Sequence, residues 1–73
     1  MKVVYRVEIE REEDGRFLAE VVELSGVMAY GRSAEEALAF VQALALRVLA
    51  DQLEHEEGPR GPVSVQFETS ASA

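Results

Sequence analysis

The run Val27-Met28-Ala29-Tyr30-Gly31-Arg32-Ser33-Ala34-Glu35-Glu36-Ala37 decides the architecture, because a strand-like segment ends within it and a helix begins. Val27 to Gly31 is short and apolar and reads as a strand. Ser33 followed three residues later by Glu36 is a capping box, in which each side chain satisfies a free backbone N–H at the helix start. Glu35 and Glu36 also suit the positive end of the helix dipole. Ala37, Leu38, Val41, Leu44, Ala45, Val48 and Leu49 then recur at helical spacing. They predict a helix from about Ala34 to about Glu56, stopped by Gly58 and Pro59.

On the N-terminal side, Val3, Tyr5, Val7 and Ile9 alternate with Lys2, Arg6, Glu8 and Glu10, the pattern of a half-buried strand over residues 2–10. Asp14-Gly15 is a hairpin turn signal. Residues 16–23 alternate again, with Phe17, Ala19 and Val21 on one face and Arg16 and Glu20 on the other, while Leu18 and Val22 blur the outer face. These two strands should pair antiparallel. Beyond the helix, Val63, Val65 and Phe67 alternate with Ser64, Gln66 and Glu68 as a fourth strand. The expected fold is α+β, in the order βββαβ, with a mainly antiparallel four-stranded sheet and one long helix on one face. The other face would carry Arg6, Glu8, Glu10, Arg16 and Glu20 as opposite-sign neighbours in water. One domain over residues 1–69 is expected, with 70–73 a frayed tail.

The chain has 73 residues, enough for one small domain. A chain this short buries only about 60% of its unfolded surface. Cysteine is absent, so no disulfide or thiolate metal site can add stability. Self-association is the remaining stabiliser to expect. The hydrophobic fraction of 48% is ordinary for a folded domain. No apolar run approaches the roughly 20 residues that span a bilayer. Met1-Lys2-Val3-Val4 leads straight into alternating charge, so no signal peptide, no membrane contact and a cytoplasmic location are expected. Absence of Asn and Cys is compatible with heat adaptation and equally with codon bias.

Fourteen acidic residues face seven basic ones, a net charge of -7. Residues 33–58, the helical segment, carry one basic residue, Arg47, against six acidic ones. A nucleic-acid binder neutralises phosphates with Lys and Arg, so direct nucleic-acid binding is not expected. The acidity serves either solubility or the capture of a basic polypeptide.

Catalytic constellations are lacking. The single histidine, His55, sits among Glu54, Glu56 and Glu57, and helix neighbours do not face each other. Glu8 and Glu10 share a strand face and could hold Mg²⁺, which would make the chain a degenerate nuclease, but Arg6 and Arg16 are expected to offset them. Gly26 and Gly31 belong to no phosphate-binding loop, and Ser33 is explained as a cap. No catalytic residue, metal or cofactor is expected, and the chain reads as a non-enzyme. The helix is more apolar than one core requires. Ala39, Ala43, Leu46 and Ala50 fall opposite the core stripe, flanked by Phe40, with Leu53 further along. This back face is either an oligomer interface or Ala acting as a helix former.

One series of motifs is specific as a whole. Tyr5-x-Val7-x-Ile9, Glu13-Asp14-Gly15-x-Phe17-x-Ala19, and Glu23-Leu24-Ser25-Gly26-Val27-x-Ala29-x-Gly31-x-Ser33-x-x-Glu36-Ala37 resemble the HicB family of antitoxins over about residues 3–41. The family's corner prolines are replaced by Val22 and Ser25, and its cysteine by Val27. The resemblance implies a truncated ribonuclease-H-like fold without a nuclease site. It also implies a protein-binding role, the blocking of a small basic RNA-cleaving toxin by occlusion. Many members carry a further DNA-binding domain; here the sequence ends after the fourth strand. Glu8, Glu10, Glu12, Glu13 and Glu20 are the candidate partner-binding residues, and Ala39, Phe40, Ala43, Leu46 and Ala50 the candidate oligomer interface. The alternative is a stand-alone homo-oligomeric domain with no toxin partner.

Overall fold

The computed structural model describes residues 1–58 and 60–71. The elements are β1 (Lys2–Arg11), β2 (Phe17–Val21), β3 (Met28–Gly31), α1 (Ala34–Glu54) and β4 (Ser64–Ala71), the expected βββαβ order of an α+β fold. The sheet order is β3-β2-β1-β4. β1 pairs antiparallel with β2, with Val7 opposite Val21 and Ile9 opposite Ala19. β2 pairs antiparallel with β3, and β4 runs parallel to β1, with Tyr5 opposite Phe67. The parallel pair follows from the connections. Two hairpin reversals set β3 in the direction of β1, and α1 carries the chain back to the start of the sheet, as a crossover helix must.

The strand faces divide as the alternation requires. Tyr5, Val7, Ala19 and Val21 are buried beneath α1, which buries Ala37, Val41, Ala45 and Leu49 in return. Val27 closes the core where β2 has ended. Leu38, Leu44 and Val48 flank the buried stripe, so every residue of the expected core stripe belongs to the core or its margin. Gly31 lets α1 start close against the sheet: a Cβ there would overlap the backbone of Ala37.

The start of α1 falls at Ala34 as expected, but the capping contacts there and the stop of the helix differ from the expectation. Ser33 Oγ accepts the Glu36 N–H at 3.1 Å, as a cap should. The Glu36 carboxylate reaches one residue further back than a capping box, accepting the N–H of Arg32 at 2.9 Å. At the other end the helix stops at Glu54, short of Glu56, with His55 as its cap. Glu56 takes a left-handed conformation (φ 59°), its N–H donating to the Leu53 carbonyl, while the Glu57 N–H donates to the Gln52 carbonyl at 2.8 Å. This is the paired pattern of a Schellman motif, built on a glutamate and completed before Gly58. Pro59, the other expected stop, lies outside the described residues.

β2 ends at Val21, earlier than the alternation to residue 23 predicts, because Glu23 leaves the ladder and turns its side chain back onto β1. β4 extends to Ala71, opposite Ile9, so residues 70–71 of the expected tail are strand, and 72–73 lie outside the described residues. Among the described residues no helix is long and apolar enough to cross a membrane.

Candidate functional site

The outer face of the sheet, away from α1, collects three of the five candidate partner-binding residues. Glu8 and Glu10 project from β1 and Glu20 from β2, because even-numbered residues of β1 and β2 point away from the core. Glu8 lies directly opposite Glu20, and Glu10 opposite Leu18. Glu12 and Glu13 sit apart, in the turn beyond β1, where the Gly15 N–H donates to the Glu12 carbonyl at 3.0 Å. With Glu10, Arg11, Asp14 and Arg16 they rim a shallow open depression at that end of the sheet.

The opposite charges expected across this face do not pair with one another. Arg6 turns to Glu23, whose carboxylate accepts its backbone N–H at 2.8 Å and its Nε at 2.7 Å. Arg16 is held the same way by Asp14, at 3.0 Å and 2.7 Å, and its guanidinium lies 4.2 Å from the centre of the Tyr30 ring. Arg32 repeats the arrangement with Glu36. The Asp14 and Glu36 forks are local in sequence, whereas the Glu23 fork ties β1 to the segment after β2. These arginines therefore form no ion pair with Glu8 or Glu10, though the charge of Glu8 still acts on Arg6. Among the described residues Glu8, Glu10, Glu12, Glu13 and Glu20 form no ion pair.

The carboxylates that do the neutralising are shifted. Hydrogen bonding from the Arg6 side chain, then from its backbone N–H, holds Glu23 below its ordinary value. The Arg16 and Arg32 backbone N–H groups, then their side chains, do the same for Asp14 and Glu36. Burial, then the nearby charge of Glu23, raises the Tyr5 phenol. None of these groups was singled out as functional in the sequence. Glu23 could have been found there only by knowing that β2 ends two residues before it.

Toward β3 the outer face is apolar, while toward β4 it carries Gln66 and Glu68. Leu18 lies opposite Tyr30 and Glu20 opposite Met28, and Val22, Met28 and Tyr30 are exposed. The face is thus an acidic strip along β1 bordered by an apolar one on β2 and β3. Among the described residues no three His, Cys, Asp or Glu side chains converge to hold a metal ion. His55, at the end of α1, contacts Asp51 alone through Nδ1, 2.8 Å from its carbonyl and 3.3 Å from its carboxylate.

The second candidate set lies on the far side of the molecule. Ala39, Phe40, Ala43, Leu46 and Ala50 are all exposed on α1, Phe40 at 52% and Leu46 at 46%. No family model, curated protein or solved structure matches this chain.

Proposed function

We propose that the protein is a HicB-like module that binds a basic polypeptide on the outer face of its sheet. The observation that carries this reading is the pairing of Glu8 with Glu20. Like charges directly opposite on adjacent strands destabilise a sheet, and here neither carboxylate is ion-paired among the described residues, while the Arg6 and Arg16 guanidinium groups bond to Glu23 and Asp14. A basic partner would relieve that repulsion, so the unfavourable term in the free protein becomes favourable in the complex. Val22, Met28 and Tyr30 supply apolar contact beside the charges. In a toxin–antitoxin pair the captured surface would be the one that a small RNA-cleaving toxin uses for phosphates, and inhibition would be occlusion. The resemblance of residues 3–41 to HicB antitoxins supports the choice of partner class.

The test is co-purification from the native host with the wild-type chain and with a Glu8→Gln, Glu20→Gln double variant. The wild type should retain a small basic protein, in a manner weakened by salt, and the variant should lose it. Added back, the chain should suppress RNA cleavage by that protein. Absence of a basic partner, or retention that ignores both substitutions, would overturn the reading in favour of a stand-alone oligomeric domain.

A further inference from the structure

Half of the inner face of the sheet has no helix. An α-helix with its side chains is about 10 Å across, and two strands are about 10 Å wide. One face of a four-stranded sheet therefore takes two helices to cover. α1 lies over β3 and β2 and touches β1 along its margin. The inner side of β4 stays open: Val65 is 37% exposed, and Val3 and Phe67 are only half-buried. The Phe67 ring leans on Tyr5, 5.7 Å between centres, with nothing from α1 laid across β4.

The helix has the complementary deficit. Placed at about 100° per residue, Ala39, Ala43, Leu46, Ala50 and Leu53 occupy the flank and back turned from its own sheet, and all five are exposed. Arg47 and Asp51 fall on the opposite flank, and Glu35 and Glu54 mark the two ends of this surface, so its middle presents apolar side chains. The chain is also extended, with a radius of gyration of 13.0 Å and extents of 42 × 19 × 17 Å. A compact domain of this length has a radius of about 11 Å.

We infer that the protein is a two-fold dimer in which α1 of each copy lies on the open β1–β4 strip of the other. The result is two sheets enclosing a pair of helices. A two-fold contact fills both deficits in both copies at once, since each chain supplies the helix the other lacks. The dimensions suffice. The exposed helix surface is about 30 Å by 10 Å and the open strip about 26 Å by 10 Å. Each copy contributes both, and side-chain relief brings the accessible surface near the roughly 800 Å² per partner of a stable interface. The outer faces bearing Glu8 and Glu20 point away from each other in this arrangement. The dimer is independent of the acidic-face reading, which uses the other side of the sheet.

Sedimentation velocity of the full chain should report a two-chain mass. Leu46→Glu and Val65→Glu alter positions already exposed in the single chain, so each should halve that mass with the far-UV circular dichroism unchanged. The chain has no cysteine, so cross-linking can be aimed. A short bismaleimide should join an Ala43→Cys chain to a Val65→Cys chain when the two variants are mixed. A single-chain mass for the wild type would overturn the arrangement, as would a dimer that survives Val65→Glu. Efficient cross-linking of Val65→Cys alone would place two β4 strands side by side and overturn it as well.

Discussion

Three arginines share one geometry. Arg6, Arg16 and Arg32 each give both the backbone N–H and a guanidinium N–H to one carboxylate, on Glu23, Asp14 and Glu36. In each case the acid stands in for a missing backbone acceptor and neutralises a cation as well. All three carboxylates are held below their ordinary values, so the folded state binds fewer protons than the unfolded chain in the acid range. Their contribution is therefore present above the unfolded carboxylate range and lost as pH falls through the depressed folded values. Glu23→Gln should reduce stability at neutral pH and flatten its decline below about pH 5, read by urea unfolding across that range. An unchanged acid slope would remove Glu23 from the linkage. Gly31 acts by lacking a Cβ. Gly31→Ala would push the start of α1 off the sheet and should destabilise by about 1–3 kcal/mol, measured by the shift in urea midpoint.

The ends of α1 account for the helix boundaries. Ser33→Ala removes the acceptor for the Glu36 N–H and should lower stability by about 1 kcal/mol. At the C-terminus, Glu56 holds the left-handed position of the Schellman motif, where an L side chain costs about 1–2 kcal/mol. Glu56→Gly should raise the thermal midpoint, since its pairing with Arg60 is exposed and contributes little. A lowered midpoint would mean that the side chain matters more than the backbone conformation. The sequence placed the start of the helix correctly, because a cap is a local event spanning four residues. It put the stop at Gly58 and Pro59 because glycine is the usual left-handed residue. A glutamate in that role carries no sequence signal.

Across the whole molecule, the proposed binding face lies on the side of the sheet away from α1, so one substitution can separate stability from binding. Glu20→Lys replaces a like-charge pair with an opposite one and should stabilise the fold by a few tenths of a kcal/mol. The same change should weaken retention of a basic partner. A variant that gains stability and keeps its partner would show that the acidic strip is not the binding surface. The composition of this face was legible in the alternation of residues 2–10 and 16–23, down to which glutamates share a side. Its electrostatics were not. Arg6 and Arg16 read as partners for their glutamate neighbours, and the fold gives them to Glu23 and Asp14 instead.

Period-two alternation, a glycine-bearing turn and a serine cap are short-range signals. They were enough to establish four strands, one helix, their order and the residues of the core stripe. Neighbours in space but not in sequence were settled by the packed chain: the parallel seat of β4 beside β1, the register that sets Glu8 against Glu20, and the strip of sheet that α1 leaves bare. Those features depend on where a helix about 10 Å wide comes to rest on a broader sheet, and no stretch of residues read alone contains that position.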